Sequence, residues 1–236
     1  MHQSNPERDL YRTFLDPARR TRPVHKWHHY FDIYERFLSP FRGRPVTLLE
    51  IGVYQGGSLE MWRSYLGPQA RVAGIDIDPA CAARAGEGVE VFIGDQADPA
   101  FLRRVLDAIG PPAVVVDDGG HTANQQITSF EAIYPAVPCP GVYLVEDTHT
   151  AFWGGGYADR YDGRSFLDHA FDRCRSLHEW TMRRHAFDRF GTPPAERQGP
   201  ATPVSDFCRR TGSVSFFDSV VVFERAERQE PWHEVR

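Results

Sequence analysis

The chain has 236 residues, enough for one large domain with a sizeable core and too few for two full enzyme domains. Its hydrophobic share of 41% and charged share of 25% exclude global disorder, and a net charge of −5 excludes the strong basic field typical of a nucleic-acid partner. Cysteines without metal-knuckle spacing, and no apolar run of transmembrane length, indicate a reduced, cytoplasmic protein without a membrane partner.

The first half of the chain predicts alternating strands and helices. Residues 1–26 are polar and predict an N-terminal arm without a signal peptide, and aromatic spacing predicts a helix over 27–38. That stripe predicts a core-facing surface, or a lid in which Tyr30 or Tyr34 covers a ligand. Apolar runs then predict strands at 45–51, 71–77, 89–93, 113–116 and 141–146, separated by helices at 58–66, 79–85, 99–109 and 124–134. This alternation predicts an α/β fold with a doubly wound, mostly parallel sheet.

The alternation of predicted strands and helices ends after Asp147. Residues 148–163 are aromatic and rich in glycine, and residues 190–206 are rich in proline and glycine, so both predict loops, which we expect on the substrate side. A helix is predicted at 165–177. Two final runs, 213–217 and 220–224, predict a closing antiparallel hairpin and bring the strand count to seven. No second core is visible, which predicts a single domain over 1–236.

The turn after the first strand predicts a nucleotide-like cofactor. It reads E-I-G-V-Y-Q-G-G-S over 50–58, and its glycines allow the backbone to approach a ligand closely. Glu50 would repel a pyrophosphate and attract an ammonium group, which favours S-adenosylmethionine (SAM) over a dinucleotide. Asp76 ends the second strand at the spacing of a ribose-binding acid, and Asp95 with Gln96 ends the third, where it can accept from an adenine amino group. Ordinary polar turns are the alternative.

Acidic residues end the fourth and fifth strands. Asp118 and His121 follow one strand, and Glu146 with Asp147 follow the other, so neighbouring strand ends could place the three acids in one coordination sphere. Oxygen ligands suit Mg²⁺ or Mn²⁺. A divalent ion lowers the pKa of a bound hydroxyl, which would let His121 act as general base. Helix caps, turn residues and a structural histidine are the alternatives.

The motifs together resemble one enzyme family. They are E-I-G-V-x-x-G-G-S-x-x-M-W, G-I-D-I-D, D-D-G-G-H, G-x-Y-x-x-E-D-T-x-T-x-x-W and S-F-F-D-S-V-V-V-F-E, within residues 24–224. This set resembles the metal-dependent and SAM-dependent sugar O-methyltransferases of antibiotic biosynthesis, of the mycinamicin, demethylmacrocin and rhamnosyl type. Cephalosporin-hydroxylase-like proteins share the acidic pattern.

The resemblance implies a class I methyltransferase fold, and related enzymes suggest a homo-oligomeric assembly. It implies Mg²⁺ at Asp118, Glu146 and Asp147, and His121 as the base. It places SAM against Glu50, Gly52, Gly57, Ser58, Asp76 and Asp95, and the prediction of the cofactor site also includes Gln55, Gly56, Gln96 and Asp117. Asp117 could instead support the metal. The implied reaction methylates a hydroxyl, on a sugar such as a deoxyhexose. A catechol-like or polyketide hydroxyl, a non-catalytic SAM-binding protein and a nicotinamide-dependent oxidoreductase are the alternatives.

Overall fold

A seven-stranded sheet forms the centre of the computed structural model, which describes residues 9–182 and 188–236. The strands are β1 (Thr47–Ile51), β2 (Arg71–Asp76), β3 (Val89–Ile93), β4 (Val114–Asp117), β5 (Gly141–Val145), β6 (Thr211–Phe217) and β7 (Val220–Arg225). Their order is β3-β2-β1-β4-β5-β7-β6, with β1 to β5 parallel and β7 antiparallel to both neighbours. The predicted α/β class, with a mostly parallel sheet and an antiparallel C-terminal hairpin, is confirmed.

Seven α-helices connect or flank these strands in the described ranges. They are α1 (Asp9–Leu15), α2 (Tyr30–Leu38), α3 (Gly57–Leu66), α4 (Pro99–Ile109), α5 (Ala123–Ile133), α6 (Phe166–Ser176) and α7 (Asp206–Arg210). Side-chain caps fix several starts: Asp98 accepts from the backbone of α4, and Thr122 forms a capping box with Gln125 at α5. The segment predicted as a helix over 79–85 is a 3-10 helix at Pro79–Arg84. None of the helices in these ranges has the length and apolar character needed to cross a membrane.

The core has two layers, one on each face of the sheet. Successive strand residues point to opposite faces, so Leu48 packs with α2 and α3 while Leu49 packs with the apolar faces of α4 and α5. Both side chains are completely buried. These layers fix the sheet rigidly, and they leave the carboxyl ends of β1 to β5 free to carry polar residues.

Part of the predicted N-terminal arm folds against this core. Residues 9–15 form α1, and Leu10 is completely buried while its backbone N–H donates to Glu35 at 3.0 Å. This stretch of the predicted arm is therefore packed against the core, and Leu10 contributes to the core layer. Residues 1–8 of the predicted arm lie outside the described residues.

The strand order places a switch point between β1 and β4. The crossovers after β1 and β2 run toward one edge, whereas β4 and β5 lie on the other side of β1. In open α/β sheets, ligands bind beyond the carboxyl ends of the strands at such a point. The E-x-G turn after β1 and the D-D-G-G-H turn after β4 meet there.

Candidate active site

A cavity of about 660 Å³ lies at the switch point. Its size is within the range of small-molecule and cofactor sites. Three groups of residues line it: the glycine turn after β1, the polar ends of β2 and β3, and the acidic ends of β4 and β5. Residues 23–28, which precede α2, close one side. One cavity is therefore shared by the predicted cofactor and metal residues.

The glycine turn approaches the end of β4 too closely for any side chain. Gly52 has a φ of +93°, and a Cβ there would lie 2.0 Å from the carbonyl oxygen of Asp118. Gly56 also has a positive φ, of +81°, at the start of α3. The turn therefore needs glycine for two reasons, a left-handed backbone and direct contact with the neighbouring strand end.

Asp76 organises the same turn from the end of β2. One carboxylate oxygen accepts from the backbone N–H groups of Val53 and Tyr54, both at 2.9 Å, and the other accepts from Asp78 at 2.9 Å. Burial alone would raise the pKa of Asp76, but these backbone hydrogen bonds outweigh it and lower the pKa. A carboxylate oxygen has two lone pairs, so Asp76 retains acceptor capacity toward the cavity.

Asp95 and Gln96 follow β3 and line the same cavity. Asp95 accepts from the backbone of Ala97, whereas Gln96 donates to Asp117 at 3.1 Å and accepts from Gly120 N–H at 2.7 Å. Gln96 therefore joins the ends of β3 and β4. Its amide is used within the protein, which leaves Asp95 as the freer acceptor of the two.

Eight of the predicted cofactor residues line the cavity: Gly52, Gln55, Gly56, Gly57, Ser58, Asp76, Asp95 and Gln96. Glu50 and Asp117 do not belong to that lining. Glu50 is completely buried and accepts from Ser58 Oγ at 2.6 Å. Lys26 Nζ lies 3.3 Å from Glu50 Oε1, so a cation of the protein itself stands beside Glu50, where the sequence predicted the ammonium group of SAM.

Asp117 points away from the cavity. Ser129 Oγ and Tyr143 Oη donate to it at 2.5 and 3.0 Å, and the side chain is 1% exposed. Burial raises the pKa of Asp117 to about 6, although these hydrogen bonds oppose the shift. Asp117 therefore joins β4 to α5 and β5, and its contacts match neither a cofactor ligand nor a metal ligand.

Asp118, His121 and Asp147 meet at the ends of β4 and β5. His121 Nε2 lies 3.8 Å from Asp118 Oδ1 and 3.6 Å from Asp147 Oδ2, and the three ligand atoms lie within 4.8 Å of one another. His121 and Asp147 both have a positive φ, of 58° and 52°. Such strained backbone clusters at functional sites, and here it turns both side chains toward one point.

Glu146 lies beside this group and faces a different set of partners. Tyr34 Oη donates to Glu146 Oε1 at 2.6 Å, and Lys26 Nζ donates to Glu146 Oε2 at 3.0 Å. Glu146 is therefore close to the predicted metal ligands but is not one of the three residues whose ligand atoms converge. Its place as a third ligand stays a prediction.

The sequence analysis did not identify the role of Lys26. Its ammonium group contacts Asp118 Oδ2 at 2.6 Å, in addition to Glu50 and Glu146. Burial alone would lower the pKa of Lys26, but the carboxylates of Asp118, Glu146 and Glu50 raise it well above the usual value. One signal was available in the sequence, because Lys26 is the single lysine among many arginines.

Tyr30 and Tyr34, the two tyrosines of the predicted stripe, also support the acids. Tyr30 Oη donates to Asp147 Oδ1 at 2.6 Å, as Tyr34 does to Glu146. The helical stripe predicted both tyrosines on one face of α2. Only the packing of α2 against the ends of β4 and β5 reveals their partners.

Comparisons with known proteins agree with the motif resemblance. No protein-family model matches the chain. Two Streptomyces olivaceus proteins are similar to it: a tetracenomycin-C rhamnosyl 3'-O-methyltransferase, 38% identical over 71% of this chain, and a 2'-O-methyltransferase, 35% identical over 85%. The demethylmacrocin O-methyltransferase of Streptomyces fradiae is 36% identical over 60% of this chain and 38% of its own length.

The chain spans about half the length of the curated relatives it matches, 45% and 51% for the two Streptomyces olivaceus proteins. Among solved structures, the MycE methyltransferase of the mycinamycin pathway, in complex with Mg, SAH and mycinamycin VI, superposes with a TM-score of 0.73. The two are 25% identical, and the match covers 98% of this chain and 56% of MycE. The resemblance to sugar O-methyltransferases, and the methyltransferase fold, are thereby confirmed.

Proposed function

We propose that the chain is a Mg²⁺- and SAM-dependent O-methyltransferase. Its acceptor is a hydroxyl on a sugar, such as a deoxyhexose, of a bacterial natural product. One observation carries this proposal: Asp118 Oδ1, His121 Nε2 and Asp147 Oδ2 converge in the cavity that the glycine turn also lines. The similarity to rhamnosyl and macrolide-sugar methyltransferases supports both the reaction and the acceptor class.

The residues of the cavity fit SAM. The turn at Gly52 and Gly56 gives a backbone surface that a ligand can approach closely. Asp76 has one lone pair left, on Oδ1, for a ribose hydroxyl, and Asp95 can accept from the adenine amino group. These residues hold the cofactor and orient it; they take no part in bond making.

The acidic end of the cavity fits a divalent ion. Asp118 and Asp147 supply oxygen ligands of the type Mg²⁺ prefers, and Glu146 is the proposed third. Lys26 supplies one positive charge beside these three carboxylates and Glu50, so a divalent cation would complete the charge balance, and Mg²⁺ keeps positions for water or substrate. When bound, the ion would lower the pKa of a coordinated acceptor hydroxyl and orient it.

His121 is the proposed proton acceptor. The acceptor oxygen forms a bond to the methyl carbon of SAM while the carbon–sulfur bond breaks, and the hydroxyl proton moves to His121 Nε2. The products are a methyl ether and S-adenosylhomocysteine. Thr150 Oγ1 donates to the His121 backbone carbonyl at 2.9 Å, which ties the 148–163 loop to the backbone of the proposed base.

The 148–163 loop is the proposed acceptor side of the site. Trp153 and Tyr157 line the cavity, with ring centroids 5.5 Å apart in an edge-to-face arrangement. Trp27 also lines the cavity, and its ring lies edge-to-face with that of His149, with 6.2 Å between the centroids. Aromatic faces of this kind stack on a sugar ring or a planar aglycone.

The test uses the acceptors of the similar enzymes. The purified protein is incubated with SAM, Mg²⁺ and rhamnosylated tetracenomycin C, demethylmacrocin or mycinamicin VI, and products are analysed by mass spectrometry. We expect one added methyl group on a sugar hydroxyl, and we expect EDTA to abolish the reaction. Methylation of catechols with no sugar product would favour the catechol-like alternative.

SAM binding without turnover of any acceptor would favour a non-catalytic SAM-binding protein. Binding of NAD in place of SAM would overturn the proposal. A cytoplasmic location and a homo-oligomeric assembly remain predictions, which fractionation of cells and light scattering would test.

A further inference from the structure

Lys26 links the predicted cofactor site to the predicted metal site. Its ammonium group lies 3.3 Å from Glu50, 2.6 Å from Asp118 and 3.0 Å from Glu146. Glu50 belongs to the glycine-turn motif, whereas Asp118 and Glu146 belong to the acidic strand ends. One cation therefore holds carboxylates from β1, β4 and β5 at a single point.

The ammonium group is enclosed rather than exposed to solvent. The Lys26 side chain is 2% exposed, and its Nζ lies 6.0 Å from the ring centroids of both Tyr34 and Trp62. A buried lysine is rare unless it is paired, and here it is paired three times. Because the ammonium group is enclosed, we expect Lys26 to remain ion-paired with the carboxylates rather than to move into solvent.

The segment that carries Lys26 is anchored independently of the acids. The Thr21 backbone N–H donates to Glu60 of α3 at 2.6 Å. The Arg22 guanidinium donates to the carbonyl groups of Arg84 and Ala83 at 2.8 and 3.3 Å. This segment is therefore fastened to α3 and to the 3-10 helix after β2, and it delivers Lys26 into the site.

The two carboxylate oxygens of Asp118 face different partners. Oδ2 accepts from Lys26, while Oδ1 faces His121, whose Nε2 also faces Asp147. A cation on Oδ2 fixes the carboxylate plane, and the free oxygen is thereby directed to the point where the three candidate ligand atoms meet.

We propose that Lys26 is a permanent internal cation that positions Asp118 and Glu146. It stays bound to these carboxylates when the divalent ion binds beside Asp118 Oδ1. It neutralises the buried side of the acidic cluster, so that the ion enters on the cavity side, next to His121. This inference rests on the proposed function, because it concerns the ligands of the proposed metal site.

The single lysine gives a direct spectroscopic test. Protein labelled with ¹³C-lysine gives one set of side-chain signals, from Lys26, whose εCH₂ protons should show cross-peaks to the rings of Tyr34 and Trp62. We expect these cross-peaks to persist when Mg²⁺ saturates the protein. Their loss, with the signal moving to the position of a solvent-exposed lysine, would show that Mg²⁺ displaces Lys26 and would overturn the inference.

Calorimetry on the same samples separates the two possible failures. If Mg²⁺ does not bind at all, the proposed function fails and this inference fails with it. If Mg²⁺ binds and Lys26 moves out, only the inference fails. The spectroscopic test uses the unmodified chain, so it stands even if variants at Lys26 do not fold.

Substitution tests the positioning role. In Lys26→Met, the loss of a cation leaves carboxylates uncompensated, so we expect Mg²⁺ to bind at least as tightly as in the wild type. We expect kcat to fall roughly 10- to 100-fold, as for other residues that orient metal ligands, with KM for SAM changed less than kcat. Tighter Mg²⁺ binding with unchanged kcat would show that Lys26 only competes with the ion for the carboxylates, and it would overturn the positioning role.

Arg22→Met is the matched control. It removes a cation from the same segment and weakens its anchoring, but Arg22 contacts none of the acids at the ends of β4 and β5 in the described structure. We expect its kcat to fall by a smaller factor than in Lys26→Met. Equal losses in the two variants would assign the effect to the segment as a whole and overturn a specific role of the ammonium group.

Discussion

Asp117 and Asp118 are neighbours in the chain, yet they lie in opposite environments. Asp117 is buried below the sheet end, where the neutral donors Ser129 and Tyr143 hold it. Asp118 points into the cavity, with one oxygen on Lys26 and the other toward His121. The difference follows from the alternation of side chains along an extended strand.

This pair shows how the same side chain acquires two roles. Two hydroxyl donors on Oδ2 and the Gln96 amide on Oδ1 stabilise the Asp117 carboxylate in the core, and they leave no oxygen free for a ligand. A carboxylate with an oxygen directed into a cavity remains available to a cation. Assignment of a catalytic acid therefore depends on the groups that face its oxygens, and the acidic pattern alone does not provide them.

The largest expected effect tests the cavity-facing acid. Asp118→Asn removes a proposed ligand charge, and we expect methyl transfer to fall roughly 10³-fold or more, because metal activation contributes several kcal/mol. The rate is measured with the acceptor that the proposed screen identifies. Asp117→Asn is the control, because it removes the same charge from the neighbouring residue. An equal loss of rate in both variants would show that the two acids do not differ in their contribution to the reaction.

The next effect concerns the proposed base. In His121→Gln we expect kcat to fall on the order of 10²-fold, the usual scale for a positioned general base. Isothermal calorimetry should show Mg²⁺ binding close to that of the wild type. If Mg²⁺ binding is lost instead, His121 is a metal ligand and the proton acceptor is another group.

A stability measurement tests the buried acid. Because burial raises the pKa of Asp117 from its usual value of 3.8 to about 6, the folded state binds the proton more tightly than the unfolded state. The contribution to stability is then present below pH 4 and falls as pH rises toward 6, by about 3 kcal/mol at most.

The measurement compares the wild type with Asp117→Asn in EDTA, by denaturant unfolding between pH 4 and pH 7. We expect the difference in unfolding free energy between the two proteins to change in the direction that disfavours the wild type as pH rises. A difference that is independent of pH would show that Asp117 titrates normally and that its burial does not raise its pKa.

The smallest expected effect concerns the 148–163 loop, the proposed acceptor side of the site. Trp153→Ala removes an aromatic face that lines the cavity, and we expect KM for the acceptor to rise about fivefold, the scale of one aromatic contact. Phe152→Ala is the control, because Phe152 is 81% exposed and is not part of the cavity lining. An equal rise in KM for both variants would remove Trp153 from the acceptor site.

Most of the fold could be predicted from the sequence. Apolar strands separated by amphipathic helices require burial on both faces of a sheet, and the observed strand ranges agree with the predicted ones within a few residues. The segment that forms α1 was the exception. Its polar composition concealed Leu10, which is completely buried, and Tyr11 and Phe14, which also pack against the core.

The candidate site was predictable to the extent that strand ends determine it. The alternation of strands and helices predicts a doubly wound sheet, in which β4 and β5 are neighbours. The proximity of Asp118 and Asp147, which follow these two strands, could therefore be predicted from the sequence. Glu146 was predicted beside them, and its partners Tyr34 and Lys26 were not, because both arrive from a segment more than a hundred residues earlier in the chain.

By itself, the sequence determined the elements, the sheet class, the glycine turn and the acids available at the strand ends, since these depend on local periodicity and residue chemistry. Only the tertiary structure decided which acids face the cavity, that Asp117 is satisfied in the core, and that Lys26 joins Glu50, Asp118 and Glu146. The physical reason is that charge pairing depends on distance in space, and long-range packing brings these groups within 3.3 Å of one ammonium group.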